Sequence, residues 1–239
     1  METHNKVKSG TLRNLYINTI IRNVIVYVFS SSIMFLAAGR LNWLDAIIFW
    51  IIYYLIGQIV GLYLIRMNSE LMKERQDAIF KENVKSWDRW ILTVNMILTT
   101  ALFALIGIDA GRFGWSHVPL ALRAAGGVMM LLSFGLTLWA SHENTFMSSQ
   151  VRIQTERGHR VVSSGPYAII RHPMYAGSCL LNIGMPLLLN SYYGLLVNML
   201  MIAIVVIRTW LEDDTLEKEL DGYGEYAGRI RYRLFPGIW

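Results

Sequence analysis

The apolar residues of this chain fall into blocks of about 20, the length an α-helix needs to cross a hydrocarbon core of about 30 Å. Four blocks cover residues 20–38, 43–65, 90–108 and 118–140, and two shorter ones cover 173–189 and 193–210. Over 239 residues, 54% are hydrophobic and 16% charged, well below the charged fraction of about 25% usual in soluble domains. The pattern therefore specifies an all-α polytopic membrane bundle of five to six transmembrane segments and argues against a water-soluble domain. The last two segments are joined by Asn190-Ser191-Tyr192-Tyr193, a link so short that it makes them a helical hairpin. Gly184 and Pro186 are positions where its first arm could bend.

Orientation follows from the distribution of cations. Lys and Arg number 3 in the N-terminal segment, 6 in the 66–89 loop, 4 in the 141–172 loop and 5 from Arg208 onward, against 1, 1 and 0 in the turns at 39–42, 109–117 and 190–192. Both termini and both long loops are expected to face the cytoplasm. This expectation holds if all six segments cross and equally if the last hairpin enters without crossing. Residues 1–19 are polar and contain Lys6, Lys8 and Arg13, with no small-residue cleavage site after the first apolar run, so the N-terminus is expected to be retained. Trp43, Trp50, Tyr53 and Tyr54 suit an interfacial aromatic belt. The 66–89 loop mixes Arg66, Lys73, Arg75, Lys81 and Lys85 with Glu70, Glu74, Asp77 and Glu82, the composition of a solvated amphipathic surface helix.

Several chemistries are poorly supported. One cysteine, Cys179, leaves no intramolecular disulfide and no cysteine-rich zinc site. His142-Glu143 lacks a second histidine at helical spacing, and the five histidines are scattered, so no metal site is expected. Gly-x-Ser-x-Gly, Walker and dinucleotide-binding glycine patterns are absent. The net charge of +5 is not gathered into a basic stripe with interleaved aromatics, so no nucleic-acid partner is expected.

Ionisable residues concentrate after position 141, which divides the chain into N-terminal helices (1–140) and a candidate catalytic region (141–239). A polar loop from Gln154 through Tyr167 leads to Arg171-His172-Pro173-Met174-Tyr175-Ala176-Gly177. Pro173 suits a first helical position and holds His172 extended. Unsatisfied N–H groups at that helix start could hold an anion, while His172 and Tyr175 could face one pocket. A plain helix cap is the alternative. Farther on, Arg208 and Glu212 stand four apart on one helical face at the end of an apolar span. A charged pair in that position is a functional candidate, or else a snorkelling arginine with its helical neighbour. A cytoplasmic helical tail, 216–239, follows.

These motifs, Ser164-Gly165-Pro166-Tyr167, Arg171-His172-Pro173-Met174-Tyr175-Ala176-Gly177, Arg208 with Glu212-Asp213, and Tyr223-x-x-Tyr226, together resemble the isoprenylcysteine carboxyl methyltransferase family. That family is part of a wider group of integral-membrane methyltransferases that includes phospholipid methyltransferases. The resemblance implies an S-adenosylmethionine-dependent enzyme that methylates the carboxylate of a lipid-like acceptor. By the same resemblance Gln154, His159, Val161, Val162, Tyr167, His172, Pro173, Met174, Tyr175 and Glu212 would contact the donor, and Arg208 would position the acceptor. Where many relatives carry paired glutamates, this chain has Glu212-Asp213. A carboxylate acceptor is ionised at neutral pH and needs an orienting cation but no base, whereas a phospholipid amine or a thiol would need deprotonation. Membrane sterol reductases carry a similar Arg-His-Pro-x-Tyr stretch and use NADPH, but the acidic run Glu212-Asp213-Asp214 disfavours a polyphosphate. A small transporter is a third reading, with few intramembrane charges to support it.

Overall fold

The computed structural model describes residues 2–77 and 84–239, which form eight α-helices and no strand. Helices α1 (Glu2–Ala38), α2 (Leu44–Met67), α4 (Ser86–Ile106), α5 (Leu120–Glu143) and α7 (Tyr192–Glu219) carry the five segments long and apolar enough to cross a membrane. Short helices α3 (Ser69–Asp77) and α8 (Tyr223–Arg229) lie outside those spans. A π-helical turn, Gly107–Phe113, extends α4. The sixth expected segment is α6 (Pro173–Leu188), whose 16 residues rise about 24 Å at 1.5 Å each, short of a full crossing.

The hairpin of α6 and α7 turns tightly, as expected. Asn190 takes a left-handed φ of 60°, and Ser191 caps α7 by accepting from the Gly194 N–H at 2.9 Å. Asp109, fully buried, accepts from the hydroxyls of Ser116 (2.7 Å) and Ser191 (2.6 Å), tying the π-helical turn to the hairpin.

Gly184 serves packing, and α6 continues past it through Pro186 to Leu188. A Cβ at Gly184 would lie 2.5 Å from the Gly126 carbonyl oxygen, and one at Gly126 would lie 2.5 Å from the Gly184 carbonyl oxygen. Two glycines thus bring the backbones of α5 and α6 together, the small-residue contact by which helices associate in lipid. Gly177 repeats it one end along, with its missing Cβ 3.2 Å from the Ser133 carbonyl oxygen.

Two surface expectations are corrected. Trp43 and Trp50 belong to the bundle core with Phe49, Phe103 and Ile106, where Trp50 packs edge-on against Tyr27; Trp90, Trp115, Trp139 and Trp210 are the exposed tryptophans among the described residues. Trp43 and Trp50 fill interior volume because facing helices cover them, which hydropathy alone does not encode. The 66–89 loop is no freely solvated helix. In α3, Leu71 is buried against Ala140, Met147 and Tyr167, and Glu74 pairs with buried Arg152 at 2.5 Å. Residues 78–83, including Lys81 and Glu82 of that expected helix, lie outside the described residues.

Gly184→Ala is expected to lower stability by about 1–3 kcal/mol through overpacking. Gly135→Ala, on the same α5 but with nothing within 4 Å of its added methyl, is expected to be neutral or slightly stabilising. Thermal unfolding in detergent compares the two variants.

Candidate active site

The site is assembled where α5 gives way to the loop 144–172, where α6 begins, and where α7 emerges. Asn144 at the end of α5 accepts from the Phe146 N–H and donates to the Tyr167 hydroxyl (3.2 Å), closing the loop on itself. Tyr226 on α8 donates to the Tyr167 carbonyl at 2.8 Å. The tail completes the frame, because the Arg171 and His172 N–H groups donate to the carbonyls of Tyr232 and Arg233.

At the centre lies Asp213, 2% exposed. Its Oδ1 accepts from His172 Nε2 (3.1 Å) and the Tyr223 hydroxyl (2.6 Å). Its Oδ2 accepts from Arg171 Nη1 (2.6 Å) and Arg233 Nε (2.8 Å). Four donors occupy the four acceptor positions of one carboxylate, so α6, α7, α8 and the tail converge on a single residue. Burial, and then the Asp213 charge, raise the Tyr223 pKa and keep the phenol a donor. Burial also raises the pKa of Tyr167 and of Tyr226.

Against this frame lies a cavity of about 800 Å³, open solvent at its mouth included. Ten of the eleven candidate residues line it: His159, Val161, Val162, Tyr167, His172, Pro173, Met174, Tyr175, Arg208 and Glu212. Gln154 is absent from the lining; it is fully buried, and its amide is occupied by the Phe146 carbonyl and by Arg157. The lining also includes Asn144, Gln150 and Arg171, which sequence reasoning passed over. Arg171 was legible as part of a motif, whereas Gln150 offered no signal.

The helix-start expectation is narrowed. The Tyr175 and Ala176 N–H groups both bond the His172 carbonyl, and Pro173 has no N–H, so Met174 alone offers a backbone donor there. His172 Nε2 is engaged by Asp213. Two buried polar atoms among the lining residues have no partner, the donor Arg171 Nε and the acceptor Gln150 Oε1. Glu212 receives the Tyr175 hydroxyl on Oε2, and its Oε1 makes no hydrogen bond to the described residues.

Arg208 and Glu212 do not pair with each other as their spacing suggests. Arg208 reaches Asp88 on α4, with Nε 2.7 Å from Oδ1 and Nη2 3.1 Å from Oδ2, and its Nη2 also donates to the Ser149 carbonyl at 3.0 Å. Its guanidinium lies 5.3 Å from the centre of the Tyr175 ring. Asp88 is fully buried and also accepts from the Val151 N–H at 2.8 Å. An acidic residue at the start of an apolar span was the available signal, but a partner 120 positions away is not readable from one sequence.

A second cavity, about 920 Å³ with its open mouth, runs into the bundle between α4, α6 and α7. Its walls are largely apolar, including Ile91, Leu92, Phe103, Leu181, Met201 and Val205, with Asn95, Thr99 and Asn182 among them. Met174, Tyr175 and Arg208 line both cavities.

His159 stacks on Phe146 with ring centres 4.9 Å apart. Burial, reinforced by Arg152 and Arg157, lowers its pKa from 6.5 to about 4. Between those values the unfolded chain binds the proton more readily than the folded one, so stability falls as pH drops from 6.5 toward 4. His159→Gln is expected to flatten that slope in melting curves recorded across the window. Asp213→Ala would leave buried Arg171 without its carboxylate and is expected to cost about 3–5 kcal/mol, measured by denaturation in detergent.

No curated protein matches the chain. Residues 122–221, which carry α5, the cavity-forming loop, α6 and nearly all of the α7 side of the site, match the family model for phospholipid methyltransferase, and this similarity supports a membrane methyltransferase.

Proposed function

We propose that the protein transfers a methyl group from S-adenosylmethionine to the polar head of a lipid-like acceptor, at the wall shared by its two cavities. The observation that carries this reading is the wall itself. A polar, solvent-open cavity and an apolar intramembrane one meet at Met174, Tyr175 and Arg208, an arrangement suited to one water-soluble and one membrane-soluble reactant.

The polar cavity fits the donor. Its lining groups match a zwitterion. The Arg171 side chain and the Met174 N–H would meet a carboxylate, Glu212 Oε1 an ammonium and the Gln150 side chain an amino group. Phe146, Val161 and Val162 supply apolar surface for a purine. Bound there, the donor supplies a methyl carbon made electrophilic by its sulfonium. The protein's part is alignment and the exclusion of water, for which the Asp213 frame holds α6 and α7 in fixed register. Tyr175, hydrogen-bonded to Glu212 and stacked with Arg208, sits where the two reactants meet. On the positive-inside reading, the polar mouth faces the cytoplasm.

For the acceptor, the first reading is a carboxylate oriented by the free Nη1 of Arg208, with no base required. A second reading is a phospholipid amine. It is favoured by the family match over residues 122–221 and by Asp88 already neutralising Arg208. An amine needs deprotonation before attack.

The purified protein is expected to bind S-adenosylhomocysteine. Glu212→Ala, which removes a charged contact worth about 1.5–3 kcal/mol, is expected to weaken binding about 10- to 100-fold, and His172→Ala is expected to weaken it as well; undiminished affinity in both variants would remove the site. Membranes supplied with methyl-labelled donor then report acceptor chemistry. Label released as methanol by mild base identifies an ester, and base-stable label an N-methyl group.

A further inference from the structure

We propose that Asp88, contributed by the N-terminal half of the chain, is a positioning residue for the transfer. It fixes the Arg208 guanidinium at the wall where the two cavities meet. The proposal rests on the methyltransferase reading and deepens it.

Asp88 lines neither cavity, so it acts through another group. It sits in the first turn of α4, fully buried, and both of its oxygens bond Arg208. A two-point contact between carboxylate and guanidinium fixes a plane as well as a position. With Ser149 also accepting from Nη2, the Nε–H and both Nη2 hydrogens are engaged. Only Nη1 remains for a ligand, and its direction is set by the other three bonds. A long arginine otherwise free among rotamers thus presents one edge to the junction. The same carboxylate accepts from the Val151 N–H, so a single α4 residue ties the loop that shapes the donor cavity to the cation that faces the acceptor. Residues 122–221 match the family model, and Asp88 lies outside them, so the N-terminal helices contribute to the geometry of reaction as well as to the membrane anchor.

The test uses the full-length protein in its membranes, with S-adenosylhomocysteine binding and methyl incorporation from labelled donor into the lipid extract as separate readouts. Asp88→Asn is nearly isosteric and retains one oxygen for Val151. It is expected to bind S-adenosylhomocysteine as the parent does while transferring about 100-fold more slowly, the cost of an ångström-scale misplacement. The double variant Asp88→Asn with Arg208→Gln is expected to lose no more than Arg208→Gln alone, because the effect passes through Arg208. Asp88→Glu keeps the charge but moves it by one methylene, and gives the same signature, unchanged binding and slowed transfer, should the Asn variant fail to fold. Full transfer by either Asp88 variant would overturn the proposal, as would equal losses of binding and transfer, or losses that multiply in the double variant. A parent protein that neither binds S-adenosylhomocysteine nor transfers methyl would overturn the methyltransferase reading itself, and this inference with it.

Discussion

Everything at the polar end of the bundle depends on one carboxylate being satisfied four times. Asp213 is buried among two arginines, a histidine and a tyrosine, and none of these groups could be buried cheaply alone, since an unpaired internal charge costs several kcal/mol. Their mutual need therefore acts as a constraint on structure. α6 must begin where His172 reaches Asp213, α8 must return so that Tyr223 can donate, and the tail must cross back so that Arg233 closes the cluster. The cavity is the space left beside this cluster, and the Asp213 carboxylate behind its wall has all four acceptor positions filled. Neighbouring Glu212 is held by one tyrosine hydroxyl and keeps an oxygen free. Adjacent acids on one helix thus divide into a structural one and an available one according to how many donors surround each.

A second carboxylate, Asp88, performs a similar task between the two halves of the chain. It joins α4, the 144–172 loop and α7 through Val151 and Arg208. The loop 144–172 and α7 are thus bonded to a helix of the N-terminal half. The second cavity is itself walled by α4 residues such as Ile91 and Phe103, and Arg208, which lines both cavities, is bonded from α4.

How much of this was legible divides along a physical line. The spans were readable because membrane crossing is a one-dimensional requirement of length and apolarity, and the observed helices keep their expected order. The α6–α7 hairpin was readable because three or four residues cannot connect helices any other way. Ten of the candidate site residues line one cavity because a shared motif order carries three-dimensional information that composition does not. The aromatic positions were harder. Trp43 and Trp50 lie in strongly apolar stretches whether they face lipid or protein, and only the packing of α1 and α4 decides between the two. The α3 segment looks solvated because it is charged, yet Glu74 is buried by Arg152 from the distant loop. Pairings across 78 or 120 positions leave no trace in local pattern. The same holds for Gln154, whose amide was free to face either the cavity or its own loop.

The height of the site in the membrane follows from counting along the hairpin. α6 has 16 residues and α7 has 28, and the two run antiparallel from a common turn. Sixteen residues up α7 from Tyr192 is Arg208, so at about 1.5 Å per residue the start of α6 stands level with Arg208, roughly 24 Å from the turn. Glu212 and Asp213 lie one turn higher, within reach of Tyr175 and His172. A longer α6 would carry Pro173 out beyond the hydrocarbon boundary and separate the site from the bilayer; a shorter one would sink the charged cluster into it, where each unsatisfied group costs far more. The short sixth helix therefore sets the depth at which the polar cavity opens onto the apolar one. Under the proposed function, that depth would let a lipid head reach Arg208 without its chain leaving the membrane and a soluble donor arrive without entering it.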